Sequence, residues 1–322
     1  MSGINYISPW IFTTDKCNLA CPYCYVKQKD FDMSELTLFY ILNKFSKLLD
    51  TKQVDKVVLR IAGGEPMLAF NTWAGPIEYF LQSYPKQASA GLISNLTILK
   101  PWHINYLNFN KFGFGISLDG WSFSKEFKNG KSSAEYVRHN IDTLAKGTKG
   151  GYNKIDISTV ITSKSINDIE ILAEWVAIRN MNWGVYLDHY YDDEFNIEFL
   201  AKKLFQVIDI LFDKGYDVLN KFKFNNVKLS STYDGCTAGQ NLIAIDTKGY
   251  VYDCQTAIYG TPNCHIKEYV PRTIPKHTTP ERCNDCPIKE YCRGGCKLNN
   301  NFGDTCSLML LVNSHILSKM EI

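Results

Sequence analysis

Short apolar runs and longer amphipathic stretches alternate along the first two-thirds of the chain. The runs have the length and flanking turns of buried strands, and between them apolar residues recur at the three- and four-residue spacing of a helix. Strands are predicted at residues 5–13, 56–61, 91–94, 112–118, 155–161 and 183–187. Helices are predicted at residues 34–50, 71–84, 101–109, 133–146, 167–179 and 196–214.

The order of these elements predicts the fold class. Six consecutive strand–helix units are typical of an α/β protein with a parallel sheet. We predict a partial (β/α)6 barrel, similar to a TIM barrel, over residues 1–215. Such barrels carry their reactive groups on loops at the carboxyl ends of the strands. An open barrel of six strands also leaves room for a larger substrate than a closed barrel of eight.

The pattern is lost in the last third of the chain. Residues 216–235 are predicted as a connector, because Asn, Lys and Ser interrupt the apolar spacing. Residues 236–322 are rich in cysteine, glycine and proline and show little periodicity. A segment of this kind cannot build much of a core, so bound metal would have to cross-link it. We predict a small, irregular second domain there.

Composition narrows the possible functions mainly by exclusion. The chain has 322 residues, of which 45% are hydrophobic, and this is enough for a sizeable core. Its net charge of +2 is spread over mixed acidic and basic residues, so we expect neither nucleic acid nor a membrane surface as a partner. No apolar run approaches the ~18 residues of a membrane span, and the first residues lack the pattern of a signal peptide. A cytoplasmic location is therefore expected.

The eleven cysteines are unevenly distributed along the chain. Three precede residue 25, none lies between residues 25 and 235, and eight lie between residues 236 and 306. Disulfides are rare in the cytoplasm, so metal binding is the better interpretation. The distribution predicts one metal site near the N-terminus and a separate metal-rich region near the C-terminus.

Cys17, Cys21 and Cys24 form a CxxxCxxC triplet directly after the first predicted strand. Three thiolates in one loop can hold three irons of a 4Fe-4S cluster, because soft sulfur ligands suit such clusters. The fourth iron would then have no protein ligand and could bind a substrate or cofactor, as a catalytic metal site does. A zinc knuckle or a scattered set of buried thiols is the alternative interpretation.

The triplet resembles the signature of the radical SAM superfamily. In that family the open iron binds the amine and carboxylate of S-adenosylmethionine, and one electron from the cluster releases a 5'-deoxyadenosyl radical. An aromatic residue before the third cysteine packs near the adenine, and Tyr23 stands in that position. The resemblance implies S-adenosylmethionine as the cofactor and an electron donor such as flavodoxin or ferredoxin.

Two further motifs add to this resemblance. Gly63-Gly64-Glu65-Pro66 follows the second predicted strand, and in radical SAM enzymes this GGEP motif contacts the amino group of the cofactor. Glycines without a Cβ let a ligand approach the backbone closely. Ser117 begins an SxDG segment after the fourth strand, and in the family this serine helps to hold the cofactor carboxylate.

Two positions depart from the family pattern. An arginine often pairs with the cofactor carboxylate, and Lys125 occupies its place here. Lysine supplies a point charge but not a bidentate fork. Ser94-Asn95 resembles the family's Thr-Asn-Gly turn without its glycine. The implied cofactor-binding residues are therefore Tyr23, Gly63, Gly64, Glu65, Pro66, Ser117 and Lys125.

The C-terminal cysteines resemble the SPASM domain, a seven-cysteine extension of radical SAM enzymes with two auxiliary 4Fe-4S clusters. By this resemblance, one auxiliary cluster would be held by Cys283, Cys286, Cys292 and Cys306. The other would be held by Cys236, Cys254 and Cys296. The chain would then carry three 4Fe-4S clusters in all. Two structural zinc sites are the alternative.

Cys264 fits no standard SPASM position. It lies ten residues after Cys254 and could complete the three-cysteine cluster as a fourth ligand. It could also donate hydrogen in catalysis or be a buried thiol. We predict the first of these three roles, because the other ten cysteines are accounted for by the pattern.

The resemblance implies an enzyme that abstracts hydrogen from a substrate carbon. SPASM enzymes mostly modify peptides, and we expect maturation of a ribosomally made peptide by cross-link formation. A sulfatase-maturing oxidase is disfavoured, because its aspartate base follows the cysteine that matches Cys254 and the residue here is Gln255. Two further interpretations are a SPASM enzyme acting on a small molecule and a non-catalytic iron–sulfur electron carrier. No catalytic residue is assigned, and Asp188 and His189 are interpreted as a polar loop pair.

Overall fold

Six strand–helix units form the first part of the computed structural model, which describes residues 4–187, 196–225, 227, 229, 236–272, 279–296 and 303–320. The strands are β1 (Ile4–Phe12), β2 (Val54–Ala62), β3 (Ala88–Ser94), β4 (Gly113–Ser117), β5 (Ile155–Ile161) and β6 (Asn182–Leu187). The helices are α1 (Glu35–Asp50), α2 (Phe70–Ser83), α3 (Pro101–Phe109), α4 (Ala134–Gly147), α5 (Ile169–Arg179) and α6 (Ile197–Asp213). Each predicted element is present within a few residues of its predicted bounds.

The six strands lie side by side in sequence order and are all parallel. In this register, Ile61 of β2 lies opposite Ile11 of β1 and Leu92 of β3. Parallel neighbours joined by helices produce the right-handed βαβ units of an open barrel. The α/β fold class and the partial (β/α)6 barrel are confirmed.

The sheet is wider than predicted at both edges. A short helix, α7 (Val218–Lys221), leads into β7 (Phe222–Phe224), which pairs parallel to β6. At the other edge, β8 (Leu242–Ile245) pairs parallel to β1, and β9 (Tyr250–Tyr252) and β10 (Cys264–His265) follow it antiparallel. The predicted connector therefore supplies a strand, and the cysteine-rich region begins as a direct continuation of the barrel sheet.

The C-terminal region also contains a long helix that the sequence analysis did not predict. A short α8 (Lys289–Cys292) precedes α9 (Gly303–Lys319). The buried apolar residues of α9 are Leu308, Met309, Val312 and Ile316. The ring of His315 stacks on Phe205 of α6 at 4.3 Å between centroids and lies 2.9 Å from Asp209. Helix α9 is thereby attached to the barrel, not only to its own region.

Two apolar clusters lie on opposite sides of the first strand. The larger one fills the layer between the sheet and its helices, where Trp73, Phe45 and Trp183 are almost fully buried. The smaller one lies inside the barrel and consists of Phe12, Val26, Ala62, Ala244, Tyr252 and Ile258. Because it contains residues of β1, β2, β8 and β9, it packs the C-terminal region against the loop that follows β1.

In the described part of the chain, none of the helices has the length and hydropathy that a membrane span requires.

Candidate functional site

The loops that follow β1, β2, β3 and β4 meet at one edge of the sheet, because parallel strands present their carboxyl ends on the same side. The Glu65 N–H donates to the Lys16 carbonyl at 2.8 Å. The Asn95 amide donates to Asn18 Oδ1 at 3.1 Å. The motifs that the sequence analysis identified on separate strands are therefore joined by direct contacts.

Cys17, Cys21 and Cys24 lie in the loop after β1, within electrostatic reach of one another. Cys17 and Cys21 are half-buried and Cys24 is exposed, so the group is open to solvent on one side. Burial raises the pKa of Cys21 to about 12, and the charge of Lys125 opposes that shift. Binding of iron would displace this proton, because metal ions coordinate the thiolate.

Two N–H groups are directed at the sulfur of Cys17. The backbone N–H of Leu19 lies 3.4 Å from Sγ, and the side-chain amide of Asn95 lies 3.7 Å away. Hydrogen bonds of this kind stabilise a thiolate and adjust the potential of a cluster. Within the described residues, no three His, Cys, Asp or Glu side chains are close enough to share a single metal ion. The thiolates that hold an iron–sulfur cluster each bind a separate iron, so they do not have to reach a single ion.

The two glycines of the GGEP motif are required by a neighbouring backbone. A Cβ on Gly63 would lie 2.5 Å from the Thr14 carbonyl oxygen, and one on Gly64 would lie 2.2 Å from the Lys16 carbonyl oxygen. Gly63 also has a φ of 155°, which L side chains rarely adopt. The sequence analysis explained these glycines by close approach of a ligand, whereas the structure shows the loop of the cysteine triplet in that place.

Glu65 is a fully buried carboxylate that connects the ends of β2 and β3. Its Oε1 accepts hydrogen bonds from Ser94 Oγ at 2.8 Å and from the Met67 N–H at 3.1 Å, and its Oε2 accepts from the Asn95 N–H at 2.8 Å. Burial raises its pKa to about 7, although the three hydrogen bonds oppose the shift. Its carboxylate therefore holds the Ser94-Asn95 turn, and the following Pro66 carbonyl accepts from Trp73 Nε1 at 2.8 Å.

Asp119, in the SxDG segment, was missed as a site residue. Its side chain is buried and accepts hydrogen bonds from the Tyr23 hydroxyl and from the Val160 N–H. Burial, and then the charge of Asp119, raise the pKa of Tyr23, so the phenol keeps its proton. The SxDG motif itself was the available signal, but only Ser117 was taken from it. Ser117 ends β4 and is half-buried.

Lys125 lies beside this pair, with its Nζ 4.9 Å from the centre of the Tyr23 ring. Burial lowers its pKa, but the charges of Asp119 and of the cysteine triplet raise it above its ordinary value overall. The side chain is therefore a permanent cation within reach of all three thiols. The arrangement favours thiolates and a bound anion at this edge of the barrel.

A third buried carboxylate joins the cysteine loop to the C-terminal region. Asp15 accepts hydrogen bonds from the Tyr259 hydroxyl at 2.5 Å and from the Thr247 hydroxyl at 3.3 Å. Burial raises the pKa of Asp15 in spite of these two bonds. The sequence offered no local signal for this contact, because the partners are 244 and 232 residues away.

Four C-terminal cysteines, Cys283, Cys286, Cys292 and Cys306, line one cavity. Cys292 interacts electrostatically with the other three, and burial raises its pKa to about 11. The structure thus brings together the four residues predicted for one auxiliary cluster. Cys296 lines the same cavity, although it was predicted for the other cluster.

The remaining three cysteines lie near β8, β9 and β10. Cys236 and Cys254 are in segments joined by a hydrogen bond of 2.8 Å from the Gly239 N–H to the Asp253 carbonyl. Cys264 lies opposite Val251 in the sheet and faces a cavity with Glu268, Tyr269 and Arg272. Burial raises its pKa, and the charges that act on it come from Arg272, Glu268 and Lys44. Its ligation of the cluster predicted for Cys236, Cys254 and Cys296 stays a prediction, and these surroundings favour a partly buried thiol.

The residue that follows Cys254 is not an acid–base group, whereas a sulfatase-maturing oxidase has an aspartate there. Gln255 follows it, and the side-chain oxygen of Gln255 is buried without a hydrogen-bond donor among the described residues. Asp253, on the other side, accepts a bond from Asn263 at 2.7 Å and lines the cavity of Cys264. Asp188 and His189 lie outside the described residues.

Sequence comparison with known proteins identifies the family to which the first half of the chain is related. The family model described as the Radical SAM superfamily matches residues 11–176. A GTP 3',8-cyclase of Helicobacter pylori is 30% identical over 173 residues, which are 52% of this chain and 50% of that protein. An uncharacterised protein of Methanocaldococcus jannaschii is 29% identical over 175 residues, 51% of this chain and 56% of that protein. The chain thus spans about half the length of these relatives.

Solved structures are similar over nearly the whole chain. The structure of anSMEcpe with bound AdoMet and the Cp18Cys peptide has a TM-score of 0.73 at 18% identity and covers 97% of both chains. The structure of Streptococcus suis SuiB bound to the precursor peptide SuiA has a TM-score of 0.63 at 16% identity, covering 91% of this chain and 72% of that one. At these identities the likeness concerns the fold, and it includes the cysteine-rich region.

Gly64→Ala is expected to destabilise the protein by about 1–3 kcal/mol, because the new Cβ collides with backbone that cannot move aside like a side chain. Gly75→Ala is the control, since its Cβ in α2 would meet nothing within 4 Å. That change should raise stability by roughly 0.5–1 kcal/mol. Urea unfolding of the metal-free proteins measures both. Equal stabilities of Gly64→Ala and wild type would contradict the packing described for this turn.

Glu65→Gln is expected to remove a pH dependence of stability. The folded-state pKa of Glu65 is about 7, against an ordinary value of 4.5, so the folded protein binds the proton more tightly than the unfolded chain does. Stability should therefore fall as the pH rises from about 4.5 to about 7, by an amount of the order of 3 kcal/mol from this one group. Urea unfolding of the metal-free protein across this window measures the slope. The slope should persist in the control Glu35→Gln, an exposed residue of α1.

Proposed function

Because the chain belongs to the radical SAM superfamily, we propose that it is a radical SAM enzyme that modifies a peptide. The observation that carries the proposal is the meeting of Cys17, Cys21 and Cys24 with the cation Lys125 at the carboxyl edge of the barrel. When bound there, a 4Fe-4S cluster and S-adenosylmethionine supply a 5'-deoxyadenosyl radical that abstracts hydrogen from a substrate carbon.

The residues around the triplet have the chemistry that such a cluster needs. The three thiolates would ligate three irons, and the exposed side of the triplet at Cys24 leaves room for the cofactor. Leu19 and Asn95 donate to the Cys17 sulfur and stabilise its negative charge. Lys125 offsets the charge of the thiolates from the other side.

Cofactor binding is assigned to the loops after β2 and β4. Lys125 is a half-buried point charge suited to the carboxylate of S-adenosylmethionine, with Ser117 at the end of β4 as the second contact. Asp119 fixes Tyr23 by its hydrogen bond, so the ring presents a stable face beside Lys125. Gly63 to Pro66 would meet the amino group through backbone atoms, since the Glu65 carboxylate is occupied by Ser94, Asn95 and Met67.

The C-terminal cysteines are assigned to auxiliary 4Fe-4S clusters. The cavity shared by Cys283, Cys286, Cys292 and Cys306 supports the first. The joined segments of Cys236 and Cys254 support the second, with Cys296 as the third ligand. When bound, these clusters would accept the electron that the substrate radical loses. A donor such as flavodoxin or ferredoxin would supply the electron that reduces the cluster at the triplet. The protein contributes orientation and exclusion of water, while the cofactors carry the chemistry.

A peptide is the substrate class that the fold supports best. Both similar structures were solved with bound peptides, and their likeness includes the cysteine-rich region. The match to the GTP 3',8-cyclase, by contrast, covers only about half of this chain. Among peptide reactions we favour cross-link formation in a ribosomally made peptide. Formylglycine formation is disfavoured because Gln255 cannot accept a proton where that reaction uses an aspartate.

The triple variant Cys17→Ala/Cys21→Ala/Cys24→Ala should no longer release 5'-deoxyadenosine from S-adenosylmethionine. Its iron content should fall from about twelve to about eight atoms per chain, as one of three four-iron clusters is lost. Anaerobic reconstitution, iron analysis and chromatography of the products measure both quantities. The matched control is Cys283→Ala/Cys286→Ala/Cys292→Ala, which should lose iron and still cleave the cofactor. Wild-type release of 5'-deoxyadenosine by the first variant would refute the assignment.

Incubation with candidate substrates tests the proposed class. The reduced protein with S-adenosylmethionine is given either a short peptide encoded next to its own gene or GTP. We expect a peptide product lighter by two hydrogen atoms, as cross-linking requires, and unchanged GTP. Mass spectrometry of both mixtures measures the result. Conversion of GTP with an unmodified peptide would favour a small-molecule substrate instead.

A further inference from the structure

A side-chain amide with an unpaired oxygen lines the cavity of the four C-terminal cysteines, as far as the described residues go. Asn225 follows β7 directly, is 5% exposed, and borders the same cavity as Cys283, Cys286 and Cys292. Its Nδ2 lies 3.4 Å from the Met309 sulfur, and its Oδ1 has no hydrogen-bond donor within the described residues. An amide oxygen buried without a donor destabilises the folded state.

The position of Asn225 is fixed by the barrel. Its backbone N–H donates to the Val185 carbonyl of β6 at 2.8 Å, and its φ of 47° lies in the left-handed region. Asn is one of the few residues that adopt this region readily. The amide is therefore held against the cavity by the sheet and not by the cysteine-rich region.

The sulfurs that line the cavity can accept hydrogen bonds from the Asn225 N–H groups. They do not account for the Asn225 oxygen, which needs a donor. The polar side chains that line the cavity are mostly cysteine and methionine sulfurs, which are acceptors once the thiols have lost their protons. The others are Thr305 and Lys289, and the Lys289 ammonium donates to the Asn284 carbonyl at 2.8 Å. Oxygen and nitrogen of an asparagine amide exchange places by a half-turn without a change in volume. In either orientation the side chain offers N–H groups to sulfur, and a bound cluster would provide several sulfur acceptors.

We propose that Asn225 donates an N–H hydrogen bond to a sulfur of the cluster held by Cys283, Cys286, Cys292 and Cys306. The bond raises the reduction potential of that cluster, because it stabilises the more negative, reduced state. Asn225 is a positioning and tuning residue, since it acts on the cluster and not on the substrate. The inference rests on the auxiliary clusters of the proposed function.

The test uses two variants that differ in what they preserve. Asn225→Gly removes the amide and accepts the left-handed backbone without strain. Asn225→Asp keeps the shape of the side chain but has no N–H to donate. Both are made in the Cys17→Ala/Cys21→Ala/Cys24→Ala background, so that only auxiliary clusters contribute to the signal. Asn313→Ala in the same background is the control, because Asn313 is equally buried and its amide donates to the Met309 carbonyl at 2.7 Å.

Redox titration followed by electron paramagnetic resonance should show one auxiliary cluster with a lower midpoint potential in both Asn225 variants. The shift should be larger for Asn225→Asp, and Asn313→Ala should leave the potential unchanged. Pulsed measurements in D2O give a second readout. The deuteron coupling of the Asn225 amide should be present in the parent protein and absent with Asn225→Asp, while the coupling of the Gly294 N–H, which is bonded to Cys292, remains in both.

The outcomes separate this inference from the proposed function. Unchanged potentials and an unchanged deuteron coupling in variants with full iron content would overturn the role of Asn225 alone. A parent protein without auxiliary iron would overturn the auxiliary clusters and this inference with them. If the Asn225 variants lose iron, the deuteron coupling of the parent protein decides, and its absence counts against the hydrogen bond.

Discussion

The close contact between two backbones determines the geometry of the site. The turn at Gly63-Gly64 lies so near the chain at Thr14 and Lys16 that neither position has space for a Cβ. Two backbone hydrogen bonds of 2.8 Å, from Gly64 to Thr14 and from Glu65 to Lys16, then bind the turn to the cysteine loop. A loop of this length would otherwise have considerable conformational freedom. The second strand, not the cysteines themselves, gives the triplet its position.

Buried carboxylates extend this arrangement to the other loops. Glu65 holds the end of β3, Asp119 holds Tyr23, and Asp15 holds Tyr259 and Thr247. Each of these carboxyl groups is buried, and burial of such a group is costly unless it is hydrogen-bonded. Each accepts hydrogen bonds from another segment of the chain. These hydrogen bonds offset the free-energy cost of burial, and they fix the conformation of loops that have no regular secondary structure. Lys125 supplies the positive charge in this otherwise acidic and thiol-rich group.

The sequence predicted the six strand–helix units because each is long enough to show its period. It did not predict β7, β8, β9 and β10, which have two to four residues and are defined by pairing with distant strands. Helix α9 could have been found, since Leu308, Met309, Val312 and Ile316 have helical spacing. Asp15 could not be recognised by periodicity or local spacing, because its partners are 244 and 232 residues away. Asp119 could have been recognised from the SxDG motif. For Cys264, the distance in sequence to Cys254 gave no information on the strand register that places it opposite Val251.

The hydrogen bond between Asp15 and Tyr259 affects when the cysteine loop can reach its final conformation during synthesis. Residues 15 to 24 are made long before Thr247 and Tyr259, which are two of the groups that fix this loop. Long-range contacts of this kind form late, since the entropy of closing the intervening chain must be overcome first. The nascent barrel therefore lacks this part of the support of its cysteine loop until Tyr259 has been made and has packed. An iron cluster inserted before that moment would meet a loop without its contacts to Thr247 and Tyr259.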